Sequence, residues 1–196
     1  ATLVWAEAQD GGDPNRDAKV RDAVFMQAAP FEKPPVTLAQ LGSRFGGITW
    51  GRGDLALLSE SWWKTRNTKT WRITPDDATQ SPQLLWDRDA QDRYNDPGRA
   101  GVVRDVNGRS RLQTTADGRS IFLYGQGASP EGDRPFIDRL SLTTRKKQRL
   151  FQSAAPYFEN VAAVLNDDGS RILTTRETPT ERSNYYARGF SINNFQ

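Results

Sequence analysis

Three stretches have residue types at spacings that could do chemistry. Ser61-Trp62-Trp63-Lys64 fits S-x-x-K, in which a lysine one helical turn away activates a serine nucleophile. That geometry needs a helix, and strand-like runs lie on both sides of it. Gly125-Gln126-Gly127-Ala128-Ser129-Pro130 begins like a dinucleotide-binding loop, but the third glycine is missing and no helical pattern follows. Asp87, Asp89, Asp92 and Asp96 crowd one loop together with Arg88 and Arg93. Such carboxylates could offer oxygen ligands to Ca²⁺. A hydrated loop of mutually paired charges is the simpler expectation.

The absent residue types restrict the chemistry further. The chain has no His and no Cys. A Ser-His-Asp arrangement needs an imidazole to take the serine proton, so it cannot form within these residues. The G-x-S-x-G elbow that exposes such a serine is also missing. Disulfides and zinc sites built on His or Cys are excluded by the same counts. No catalytic, metal-binding or cofactor-binding residue is assigned.

What remains is aromatic and cationic. Trp62-Trp63 and Tyr185-Tyr186 each place one ring on either side of a strand or its end. One ring of each pair must face outward, line a channel or pack on a neighbouring sheet. Lys64, Arg66 and Arg176 lie near loop-rich strand ends. With Trp62 they are the candidate contacts to a substrate or a neighbouring domain; surface charge is the plainer role for the cations.

The elements that must position them are short. Residues 45–86 hold four apolar runs separated by turn signals: Ile48-Thr49-Trp50, Leu55-Ala56-Leu57-Leu58, Thr70-Trp71-Arg72-Ile73 and Leu84-Leu85-Trp86. Each is too short for a helix and rich in β-branched or aromatic residues, so a four-stranded antiparallel meander is predicted. Leu3–Glu7, Ala23–Met26 and Val36–Ala39 give a shorter unit before it. Gly101-Val102-Val103, Ile121–Tyr124, Phe136–Leu142 and Leu150-Phe151 give a third. Val161, Ile172–Thr175 and Tyr185 to Ile192 give a fourth that stops one strand short. Asn107-Gly108, Asp117-Gly118 and Asp168-Gly169 are the expected tight turns.

The expectation is therefore an all-β fold, a partial β-propeller of about four meander blades, over residues 1–44, 45–90, 99–153 and 158–196, with the first and last incomplete. A β-sandwich is the rival. Phe158, Val161, Ala162 and Leu165 also fit helical spacing, so one short helix is possible there. The free edge after Ile192 could add a strand from a second copy.

With 27 basic and 24 acidic residues the net charge is +3, a mixed surface without a nucleic-acid footprint. The run Arg145-Lys146-Lys147-Gln148-Arg149 reads as a solvated hairpin face. No stretch approaches the ~18 apolar residues of a membrane helix. The opening Ala1-Thr2-Leu3-Val4-Trp5 begins inside a strand and reads as part of a longer chain.

An ordered series of motifs carries a family resemblance. Trp5–Pro14, Phe45–Trp50, Glu60–Arg66, Tyr94–Gly98, Gly127–Gly132, Pro135–Asp138 and Leu173–Glu177 together resemble segments of the glutamyl endopeptidase-like branch of the prolyl oligopeptidase family of serine peptidases. The resemblance implies an N-terminal β-propeller that restricts access to a C-terminal α/β-hydrolase domain holding the serine triad. This chain would then be propeller only, with that hydrolase domain and a peptide as its partners. Cleavage after Glu would ask for a cation near the pocket, since a buried carboxylate must be paired; Lys64, Arg66 and Arg176 are the candidates. A periplasmic or secreted location is favoured if the source is bacterial. The alternative is a stand-alone propeller module binding proteins or carbohydrates.

Overall fold

The computed structural model describes residues 1–191, which form two compact units, one of Ala1–Gln91 and one that begins at Asp92. All of the regular structure among the described residues is β-strand, so no helix there is long and apolar enough to cross a membrane.

The first unit holds two meanders. β1 (Thr2–Ala8), β2 (Asp22–Ala28) and β3 (Val36–Leu41) pair antiparallel in chain order. β4 (Arg44–Trp50), β5 (Ala56–Trp62), β6 (Asn67–Ile73) and β7 (Gln83–Asp89) do the same. Their apolar faces meet in a core of Val24, Leu38, Ala39 and Leu41 from one sheet and Ala56, Leu58 and Ile73 from the other. Val4, Ala6, Phe45, Ile48 and Trp71 pack around it. Leu58 is wholly buried, a burial that contributes about 2 kcal/mol. The Gly46-Gly47 pair marks a bulge in β4, where the register to β5 shifts between Phe45 and Gly47. A side chain at Gly46 would meet the Ser59 hydroxyl at 2.8 Å and its carbonyl oxygen at 3.3 Å, so Ser59 would have to shift to admit one.

The second unit holds β8 (Arg99–Ala100), β11 (Ser120–Gly125), β12 (Phe136–Ser141) and β13 (Lys147–Gln152) in one sheet. β14 (Phe158–Val164), β15 (Arg171–Glu177) and β16 (Asn184–Gly189) form a three-stranded meander. Phe122, Ile137 and Ile172 are the buried centre, with Leu150, Phe151, Val161 and Val164 packed on it. The basic run lies in the β12–β13 hairpin, as expected of a solvated face.

Two strand readings need correction. Val102-Val103 does not open the third blade. The strand that pairs with β11 is Arg99–Ala100, and the chain leaves the sheet at Gly101. There the Gly101 N–H donates to the Phe122 carbonyl and its own carbonyl accepts from Gln113. β9 (Val102–Arg104) and β10 (Ser110–Leu112) then form a separate two-stranded ribbon. The possible helix around Phe158–Leu165 is a strand. β14 carries a bulge between Val161 and Ala163, and that extra residue breaks the period-two pattern so that it mimics helical spacing.

The Asn107-Gly108, Asp117-Gly118 and Asp168-Gly169 dipeptides all turn the chain. Each glycine has φ between 68° and 81°, and each N–H donates to the carbonyl three residues back. The loops are longer than two-residue hairpins, with the Asp105, Asp117 and Asp168 carboxylates accepting backbone N–H groups. The end of the fourth unit expected at Ile192 lies outside the described residues. Each main sheet is built from strands in chain order, interrupted in one case by the ribbon. That is the blade form of a β-propeller; the Greek-key exchange of strands that builds a sandwich does not occur among the described residues.

Candidate functional site

Each unit contains a cluster of arginine, carboxylate and aromatic ring. In the first, Asp10 follows β1 and its side chain is fully buried. It accepts two hydrogen bonds from Arg44 Nη2, at 2.8 and 2.7 Å, and one from Arg21 at 2.8 Å. The Gly12 N–H adds a fourth. Arg44 also donates to Asp22 at 2.7 Å, and the other Asp22 oxygen accepts from the Phe45 N–H. Burial pushes the Asp10 carboxyl up, but the bonds from Arg44, Gly12 and Arg21 outweigh it and hold the group below its ordinary value. The Arg21 guanidinium lies 4.0 Å from the Trp62 ring centroid. Two arginines and two carboxylates thus close on one another.

Trp62 and Lys64 meet in this unit. The Lys64 ammonium sits 6.0 Å from the Trp62 ring and 5.7 Å from the Trp63 ring. It donates to the Pro14 carbonyl and to Asn15 Oδ1, at 3.2 and 3.0 Å. Ser61 is inside β5 and pairs with Thr68, so the S-x-x-K spacing builds no nucleophile. Arg66 stands apart at the exposed β5–β6 turn with φ 58°, its carbonyl accepting from Ala90. Below Trp62, the buried Glu60 accepts from the Ser43 N–H and the Trp71 indole, which fixes β5 against its neighbours.

Arg176 belongs to the second unit. On β14–β16 one sheet face carries Tyr157, Glu159, Thr174, Arg176, Tyr186 and Arg188, by strand alternation and register. Glu159 is buried and clamped by Arg188 through two bonds of 2.5 and 2.6 Å. Thr174 donates to it at 2.5 Å. Burial raises the Glu159 carboxyl, but these bonds and the charges of Arg188 and Arg176 bring it below its ordinary value. Arg176 stands opposite Glu159 in the register yet is not bonded to it. Its guanidinium lies between two rings, 4.0 Å from the Tyr157 centroid and 3.9 Å from that of Tyr186. Its Nε is buried and has no hydrogen-bond partner among the described residues.

The remaining sequence candidates do local work. Asp87 accepts from Asn67 and pairs with Lys69; Asp89 caps Gln91. Asp92 caps Asn95, and Asp96 caps Gly98. Gly127, at φ 62°, presses against the Arg134 carbonyl, where a Cβ would come within 2.0 Å, so it serves a backbone contact.

Sequence reasoning singled out Trp62, Lys64 and Arg176 but missed Asp10, Arg21, Arg44, Tyr157, Glu159 and Arg188. The alternation in β15 and β16 carried a signal: Thr174 and Arg176 share a face, as do Tyr186 and Arg188. The Asp10 cluster is long-range, since Asp10, Arg21 and Arg44 lie on different loops and strands, and no local spacing reports it.

Two proteins match nearly the whole chain. The probable chloroplastic glutamyl endopeptidase of Oryza sativa subsp. japonica is 40% identical over 200 residues, 95% of this chain. That of Arabidopsis thaliana is 39% identical over 199 residues, 94% of this chain. Over nearly its whole length the chain is similar to a segment of these two glutamyl endopeptidases. It spans about one fifth (21%) of the length of either relative. No family model matches it. Among solved structures, an oligogalacturonate lyase in complex with manganese aligns over 96% of this chain and 45% of its own, at 11% identity and a TM-score of 0.45. The ordered motifs singled out in the sequence, from Trp5 to Glu177, all lie within described residues.

Proposed function

We propose that this segment is a non-catalytic part of a prolyl oligopeptidase-type serine peptidase, and that it restricts peptide access to a hydrolase domain carried elsewhere in the parent polypeptide. The observation that supports this most is the pairing of similarity to glutamyl endopeptidases with a chain that has no histidine. A serine triad cannot form here, so a serine peptidase must keep its triad in other residues. The chain's share of its relatives' length leaves ample room for one.

Rigid meanders suit a wall better than a lid. The strands pair along their length, and buried ion pairs lock the loop after β1 and the start of β14. The test is size discrimination in the parent. Short peptides should be cleaved efficiently and folded proteins poorly. A parent that degrades both alike contradicts the gating role. The stand-alone binding-module alternative predicts instead that the chain occurs and acts without a hydrolase partner.

A further inference from the structure

We infer that the β9–β10 ribbon is an interaction arm. The open edge of β9 takes up a strand from a separate protein, one that sets a carboxylate beside Arg104 and apolar side chains beside Val102 and Val103. The ribbon adds little to the second unit, since of its strand residues only Leu112 is buried. Val102 and Val103 are 54% and 44% exposed, and Val106 at the turn is fully exposed. A two-stranded ribbon is marginally stable alone, yet this one is tied into shape. One Asp105 oxygen accepts the Asn107 and Arg109 N–H groups, and the other accepts from Arg111 Nε at 2.7 Å. A stiffened arm with its valines in water has apolar surface left to bury against a partner.

The backbone sets the mode of contact. The Asp105 N–H donates to the Arg109 carbonyl, and the Gln113 N–H donates to that of Gly101. Val103 stands opposite Arg111 between these two bonded pairs. Bonding alternates along an antiparallel strand, so the N–H and C=O groups of Val102 and Arg104 turn to the outer edge. No strand pairs with that edge among the described residues, and it is a template for one more. Charge selects which strand. Residues 101–113 hold three arginines and one carboxylate, and Asp105 is spent inside the ribbon. Arg104 gives one bond of 3.0 Å to the Gly108 carbonyl, and its other donors meet no acceptor among the described residues. An antiparallel strand reading Glu-Val-Val sets its carboxylate beside Arg104 and its valines beside Val103 and Val102, which are favourable cross-strand pairs. A second copy of the ribbon is the wrong occupant. It would bring another set of arginines onto the same sheet with no spare carboxylate.

Neither the open edge nor its charge depends on peptidase activity in the parent. Titrating the ¹⁵N-labelled chain with acetylated, amidated Thr-Glu-Val-Val-Thr tests both. The Val102 and Arg104 amide resonances should shift. This peptide should bind about threefold more tightly than its Thr-Gln-Val-Val-Thr counterpart, the gain of one exposed pair of opposite charges. That gain should vanish at about 1 M salt, where exposed charges are screened. Arg104→Gln should equalise the two peptides. Val102→Pro removes an outward N–H without touching the ladder to β10, so it should abolish binding of both while the cross-strand contacts of Val103 and Arg111 persist. Equal binding of the two peptides, no shift at Val102 and Arg104, or binding that survives Val102→Pro overturns the arm. The same titration on the parent separates the occupants. Retained binding supports a separate protein. Binding lost in the parent means that its own chain covers the edge. Indifference to both peptides with ribbon-dependent sedimentation on phosphatidylglycerol vesicles means a lipid surface. A dimer that Val102→Pro dissolves means a second copy. Each of these three results overturns the assignment.

Discussion

Arg21 and Arg176 are stacked alike and finished differently. In the first unit, Trp62 supports Arg21 while Asp10 takes its donors, and Arg44 ties Asp10 to Asp22. In the second, Tyr157 and Tyr186 support Arg176 while Glu159 gives its oxygens to Arg188 and Thr174. The difference teaches how to separate a structural cation from an available one. Aromatic stacking positions a guanidinium without consuming its hydrogen bonds, so the decisive question is where the donors go. The first cluster is closed and acts as a clasp between the loop after β1 and the starts of β2 and β4. The second is closed around Glu159 and open at Arg176.

The comparison breaks most sharply at Arg44. Arg44→Met removes one of the two cations from a cluster of two carboxylates, and a buried pair that loses one partner is costly. A destabilisation of about 3 kcal/mol is expected in denaturant titration. A loss below about 1 kcal/mol would mean that the clasp is not structural. In the second unit, Glu159→Gln leaves Arg188 without its carboxylate. Arg188 is partly exposed and can reach water, so the expected loss is smaller, about 2 kcal/mol. Arg176→Gln should cost about 1 kcal/mol, since only its stacking is lost. If it destabilises as strongly as Glu159→Gln, Arg176 has a structural partner and the contrast disappears.

Acid gives the gentlest probe. Asp10 and Glu159 both ionise more readily in the folded chain than free carboxylates do. Their stabilising effect is therefore complete above the ordinary values of 3.8 and 4.5, and is lost as pH falls through the lowered folded values. Thermal melts should be insensitive to these groups near neutrality and should fall in acid. In Glu159→Gln, part of that acid sensitivity should be missing. An unchanged acid limb would remove Glu159 from the account.

Much of the fold was legible because it is local. The period-two run Thr70-Trp71-Arg72-Ile73 and the Asp168-Gly169 turn announce strand and hairpin without help from distant residues. The misreadings fell where one residue interrupts a pattern. Gly101 turns Val102-Val103 out of the sheet, and the β14 bulge gives strand residues a helical spacing. The site was legible only in part. Lys64 stood out as a cation beside two tryptophans, but its ammonium is occupied by Pro14 and Asn15. Arg176 stood out equally, and its different standing depends on where Arg188 and Glu159 meet. That contact spans 29 residues and follows from register, not from spacing along one strand.

The account's central claim is that the reacting serine lies outside these residues. A fluorophosphonate probe applied to the parent, followed by digestion and mass spectrometry, tests it most directly. The label should fall on a serine outside residues 1–196, and the isolated chain should take up none and hydrolyse no peptide. A label on any serine of this chain, or peptide hydrolysis by the chain alone, would contradict the account.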